Sequence, residues 1–170
     1  GDVLEKGEEF LPLKRKRRLA PELIPTYSGQ ISVRVIEGPQ ANMFPEKSRE
    51  KFYTGIFSIT PQSDRMGCRL QGPSLEIEEG YEHITDPVPP GSIQVPPDGN
   101  PIILLADRQT TGGYAKIATV ISVDLPKIAQ GKPGDQIQFI KVDLQESHKL
   151  LKEKEKLFRL LKLQLRGVMS

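Results

Sequence analysis

Two short apolar runs around a single proline–glycine turn constrain this chain more than any other feature. Ile93–Val95 and Ile102–Leu105 flank Pro96-Pro97-Asp98-Gly99. In such a unit Pro97 presets φ, the Asp98 carboxylate accepts from the following backbone, and Gly99 tolerates φ > 0. Strands joined this way form a β-hairpin. Four successive apolar residues, Ile102 to Leu105, predict a second strand buried on both faces. Charge, amide and hydroxyls follow directly in Asp107, Arg108, Gln109, Thr110 and Thr111, and Gly112 and Gly113 then leave the backbone open to close approach before Tyr114. A buried strand running straight into such groups is expected to present a binding edge.

The rest of the chain is punctuated to match. Fifteen Gly and 15 Pro in 170 residues point to one domain of short strands and not to a helical bundle. Aromatics are 6% and Trp is absent, so the expected core is aliphatic, without large aromatic anchors. Alternation predicts a strand over Ile31–Ile36, followed by a short helix over Ala41–Phe52 with Pro45 in its first turn. Further strands are expected at Tyr53–Thr60 (Ile56 and Ile59 buried), Cys68–Leu70, Ser74–Glu79 (Leu75 and Ile77 on one face) and Ala115–Val123. Asp124 stands where it would cap a short helix, Lys127–Gln130, with Pro126 near its start. A last strand, Gln136–Val142, carries Ile137, Phe139 and Lys141 on one face. From Leu144 the apolar spacing draws a stripe on a helix. Such a helix most often covers its own barrel or an open edge; docking on a membrane surface or a partner is the alternative.

The expected organisation is a connecting segment over 1–30, a β domain over 31–143 and an amphipathic helix over 144–170. Lys14 to Arg18 reads K-R-K-R-R between Pro12 and Pro21, as in a solvated linker. A nucleic-acid or acidic-partner patch is the sharper reading, but no aromatic interleaves the run and the net charge is only +2, so no nucleic-acid partner is expected. The single cysteine, Cys68, rules out an internal disulfide framework and a cysteine-built zinc site and fits a reducing, cytoplasmic compartment. His83 and His148 have no second ligand at metal or triad spacing, and both read as exposed. No apolar run is long enough to cross a membrane. P-loop, nucleophile-elbow, H-E-x-x-H and C-x-x-C motifs are all missing. Chemistry would therefore rest on Asp, Arg, Gln, Thr, Tyr and Lys side chains together with backbone groups. Besides the 107–114 edge, the turn holding Gln62, Ser63, Asp64, Arg65 and Arg69 is the second candidate. Its guanidiniums suit carboxylate or phosphate recognition, and equally Arg65 could pair with Asp64 or Asp107 to stabilise a loop.

Three long stretches carry a resemblance: T-P-Q-S-D-R-M-G-C-R-L (60–70), the whole of 91–114, and K-I-A-T-V-I-S-V-D-L-P (116–126) with G-D-Q-I-Q-F (134–139). They resemble the biotin-dependent carboxyltransferase, or allophanate hydrolase subunit 2, family, which includes KipA-type proteins (the C component of 5-oxoprolinase). The resemblance implies a mostly β, cyclophilin-like barrel with short helices and a C-terminal α-helix. It implies partners as well, a KipI-like protein (the B component of 5-oxoprolinase) and a third component. That complex would use ATP to open 5-oxoproline, a small cyclic amide, to glutamate. Two alternatives stand beside it: a urea or amide carboxylase component, the one case in which biotin enters, and a regulatory module antagonising a KipI-like kinase inhibitor. No covalently bound cofactor and no metal are expected. Asp107, Arg65 and Gln109 are then the expected catalytic residues, with Asp64, Arg69, Thr110, Thr111, Gly112, Gly113 and Tyr114 around the substrate. Family members carry an N-terminal half before a segment like Gly1–Leu4, which resembles its final strand, so the chain is expected to be a fragment or half of a split protein, not active alone.

Overall fold

The computed structural model describes residues 19–78 and 85–166. The Lys14–Arg18 run, Gly1–Leu4 and His83 lie outside the described residues. Among the described residues, nine strands and three α-helices follow in chain order: β1 (Gln30–Glu37), α1 (Glu46–Thr54), β2 (Phe57–Ile59), β3 (Gly67–Gln71), β4 (Asp86–Pro87), β5 (Ser92–Val95), β6 (Ile102–Leu104), β7 (Thr111–Gly112), β8 (Ala115–Val120), α2 (Leu125–Ala129), β9 (Gln136–Lys141) and α3 (Leu144–Arg166). Seven strands close a barrel in the order β1-β8-β5-β6-β3-β2-β9, while β4 and β7 form a separate two-stranded ribbon. The parallel pairing of β1 with β9, Gln30 opposite Gln136 through Val35 opposite Lys141, seals the barrel. The mostly β expectation holds.

Period-two alternation builds the wall. Val33, Val35, Leu70, Ile93, Val95, Ile103, Ile117 and Ile137 fill the core. The hairpin is as its turn chemistry requires. Gly99 has φ +77, its N–H donates to Pro96 O at 2.9 Å, and the Asn100 N–H donates to the Asp98 carboxylate at 3.0 Å. Its second strand is buried at Ile103 and Leu104 and only partly at Ile102.

The core is not purely aliphatic. Phe52 of α1 stacks on Phe139 at 4.4 Å between centroids, and Phe57 tilts against Phe139 at 5.6 Å. All three rings are buried and pack together where α1 meets the barrel. That anchoring moves the expected helix end. Tyr53 and Thr54 complete α1 instead of opening a strand, β2 shrinks to three residues, and Ile56 is left 56% exposed.

The strand expected from Ser74 does not form within 74–78, because its backbone is satisfied elsewhere. Leu75 N–H donates to Gly99 O, Glu76 N–H to Ser48 Oγ and Glu78 N–H to Met43 O, each within 3.0 Å. β8 stops at Val120, where the chain turns and the Asp124 N–H bonds Ile121 O. Asp124 does precede α2 but makes no side-chain cap. Its buried carboxylate is held by Arg34 instead, Nε to Oδ2 at 2.8 Å and NH2 to Oδ1 at 2.7 Å, with the Arg34 N–H at 2.9 Å and Lys127 Nζ at 2.9 Å. Lys141 faces outward and pairs with Glu37. Among the described residues, α3 leaves Leu151, Leu157, Phe158, Leu160 and Leu163 exposed. A closed barrel has no open edge for it to cover. No helix of the described residues is long and apolar enough to cross a membrane.

Candidate functional site

Strand register, more than proximity in sequence, assembles the polar site. Arg69 pairs with Ile102, Ile102 with Gln94, and Gln94 with Lys116. Their neighbours Leu70, Ile103, Ile93 and Ile117 point into the core, so these four residues form a row on the outside of the wall. With strands about 4.8 Å apart, Arg69 and Gln94 are about 10 Å apart across the row. A groove of ≈ 700 Å³ runs over the Arg69, Ile102 and Gln94 part of this row, lined also by Thr60, Gln62, Asp64, Asp98, Asn100, Gln109 and Tyr114 among others. Gln94 is its buried floor, 2% exposed, with Nε2 donating to Tyr114 O at 3.2 Å. Gly112 lies so close above that a Cβ there would sit 2.8 Å from Gln94 Nε2. Thr60 Oγ1, also at this groove, is buried with no hydrogen-bond partner among the described residues.

The two candidate stretches do meet, though not as one cluster. Leu105 N–H donates to Met66 O and Asp107 N–H to Arg65 O, so the 64–66 turn is zipped to 105–107. Arg65 Nε then pairs with Asp107 Oδ2 at 2.9 Å. The Arg65 side chain is 86% exposed, which makes this a surface pair of small energetic worth. Asp64 folds back on its own turn, Oδ1 accepting from the Met66 and Gly67 N–H groups at 2.8 and 3.0 Å. Ser63 Oγ similarly accepts from the Arg69 N–H at 2.9 Å. Arg69, Gln109, Tyr114 and Asp64 line the groove. Arg65 faces a second cavity, and Asp107 lines neither. Thr110 and Thr111 are exposed, and Gly112 and Gly113 contribute partly covered backbone.

That second cavity, ≈ 970 Å³, is mainly apolar. Ile59, Cys68, Leu105, Leu125 and Ile128 line it, with Asp64 and Arg65 at its polar side. Burial pushes the Cys68 thiol up to about 11, which keeps it protonated and a poor nucleophile at neutral pH. Among the described residues no group of three or more His, Cys, Asp or Glu could hold a metal.

Two structurally important residues, Gln94 and Lys116, were not singled out in the sequence, and a third, Arg108, was named within the 107–114 edge but given no role. Gln94 is a polar residue inside the apolar run Ile93–Val95, a break that could have marked it. Lys116 interrupts a buried strand in the same way; its ammonium, 4% exposed, pairs with Asp86 and donates to Pro87 O at 3.0 Å. The hydrogen bond from Lys116 holds the Asp86 carboxyl below its ordinary value. Arg108, whose neighbours Asp107 and Gln109 drew the attention, donates through Nε to Val88 O at 2.8 Å.

Comparison with known proteins places this geometry. The family model described as "Carboxyltransferase domain, subdomain A and B" matches residues 1–141. The C component of 5-oxoprolinase from Haemophilus influenzae is 43% identical over 155 residues, 91% of this chain and 48% of that protein. Its Escherichia coli counterpart, of the same name, is 33% identical over 93% of this chain and 51% of its own length. Among solved structures, the Kluyveromyces lactis urea carboxylase superposes with a TM-score of 0.75 at 26% identity, covering 81% of this chain and 13% of that one. The chain thus spans about half the length of the curated 5-oxoprolinase relatives it matches. With a match along most of its length and a barrel shared with a solved urea carboxylase, this chain belongs to the carboxyltransferase-domain family, subdomains A and B.

Proposed function

We propose that this chain forms one wall of the substrate site in a protein of the 5-oxoprolinase C-component type. The complex it serves, with a KipI-like protein and a third component, hydrolyses 5-oxoproline to glutamate at the expense of ATP. The observation that carries the reading is the outer groove, where the Arg69 guanidinium shares a cavity with the Gln94 and Gln109 carboxamides, among others, on a chain 43% identical to a 5-oxoprolinase component. 5-Oxoproline carries a carboxylate and a lactam. Arg69 suits the first as a bidentate donor, and the Gln109 carboxamide suits the second. Tyr114 and Asp64 border the ring. Asp107, paired with Arg65 and outside the residues that line the groove, acts as base or orienter, and Thr110 to Gly113 offer hydroxyl and backbone donors to the oxyanion of the opening lactam. ATP is a substrate of the complex. The test is 5-oxoproline-dependent ATP hydrolysis by the co-purified proteins: Arg69→Ala and Asp107→Asn are expected to cut it at least tenfold. Full activity in both variants would sink the site assignment.

A second reading is carboxyl transfer from carboxybiotin to urea or another amide. The barrel's likeness to a solved urea carboxylase favours it. A requirement for a biotinylated partner, with no turnover of 5-oxoproline, would select it.

A further inference from the structure

The β4–β7 ribbon is two residues long on each strand, Asp86 opposite Gly112 and Pro87 opposite Thr111. A ladder that short has no stability of its own, so its place must be fixed from outside. Two cations fix it. Lys116 bonds the Asp86 carboxylate and Pro87 O, and Arg108 bonds Val88 O, so three consecutive residues along one side of the ribbon are held. Gln40 ties the same corner: its Oε1 accepts from the Lys116 N–H at 3.1 Å and its Nε2 lies 3.5 Å from Asp86 Oδ2. Across the ribbon, Val88 N–H donates to Thr110 O at 2.9 Å, and Gly112 rests on Gln94.

We infer that Lys116 is a positioning residue for the groove. Its ammonium seats the ribbon through Asp86, and the ribbon in turn sets Gln109, Gly112 and Tyr114 over Gln94. The direction of control follows from burial. Lys116 sits on a barrel strand with its side chain 4% exposed, whereas Asp86 is 40% exposed on a short strand. A buried ammonium without a partner is costly, so the rigid member dictates where the carboxylate must lie. Neighbouring register makes the link direct, since Lys116 stands beside Gln94 on the same outer face. The effect on catalysis rests on the reading of this groove as the substrate site; the seating of the ribbon does not.

Two readouts separate these parts. In Lys116→Met, and in the milder Asp86→Asn, amide exchange at Val88 should accelerate about tenfold or more while that of Val35 in the barrel is unchanged. In the assembled complex, KM for 5-oxoproline should rise about tenfold and kcat should fall with it, because the ribbon carries the oxyanion donors Thr110 to Gly113 and also positions the binding groups. The double variant should be no worse than Lys116→Met alone, because both changes break one link. Unchanged Val88 exchange in both single variants would overturn the inference. So would loosened exchange with an unaltered KM in a complex that turns over 5-oxoproline. A wild-type complex inert toward 5-oxoproline would instead sink the functional reading, and the exchange data alone would then decide the seating of the ribbon.

Discussion

Asp124→Asn is the sharpest test of what holds the barrel to its surrounding helix. The carboxylate is fully buried between β1 and α2, and α2 walls the apolar cavity through Leu125 and Ile128. Burial alone would push its titration up. The Arg34 guanidinium and N–H, followed by Lys127, outweigh burial and bring it down to about 2 from an ordinary 3.8. A folded value below the unfolded one stabilises the fold above the unfolded value, and the contribution is lost as pH falls through about 2. That difference corresponds to roughly 2 to 3 kcal/mol at neutral pH. Asparagine keeps the shape but turns an N–H₂ toward a guanidinium that has only donors, so the whole loss at pH 7 should reach the roughly 3–5 kcal/mol typical of a broken buried pair. For a chain this size that is a fall in Tm of roughly 10 °C. Urea unfolding by circular dichroism suits a chain without Trp. The gap between wild type and variant should be full at pH 7 and still full at pH 5. It should narrow by about 2 kcal/mol as the pH approaches 2. Curves that stay parallel from pH 7 to 2 would refute the assignment of that stability to Asp124 ionisation.

Three further outcomes are expected. Phe139→Ala, removing the ring shared by Phe52 and Phe57, should cost about 3–5 kcal/mol in the same unfolding assay. Arg65→Ala should change stability by less than about 1 kcal/mol, since its pair with Asp107 is exposed, so any loss of 5-oxoproline turnover in that variant would reflect the site and not the fold. Gly112→Ala should fold but displace Gln94 from Tyr114 O, destabilising by about 1 kcal/mol and raising KM for 5-oxoproline more than it lowers kcat.

How much was legible in the sequence depended on whether the cause was local. The hairpin at Pro96–Gly99 could be read because proline and glycine dihedrals set it without help from the rest of the chain. The strands β1 and β9 could be read from alternation, as could the long helix α3 from its stripe. Where two local tendencies competed, packing decided: α1 ran on through Thr54 because Phe52 is drawn onto Phe139, and no strand formed over 74–78 because Ser48 of α1, Met43 before it and Gly99 of the hairpin turn already occupied its N–H groups.

For the site, the sequence by itself picked out the 62–70 turn and the 107–114 edge, because arginines, amides and paired glycines after a buried strand have no use in a plain connection. It also left open that Arg65 pairs with Asp107, which is what the structure has. Which of these residues share a groove was decided only by the tertiary structure. Register set Arg69, Gln94 and Lys116 on one outer face although they lie 47 residues apart in sequence from first to last. Asp124 is the same lesson in charge. Its place before α2 suggests a cap, but Arg34, 90 residues away in sequence, claims the carboxylate, because a buried bidentate ion pair outweighs a single hydrogen bond to a helix end.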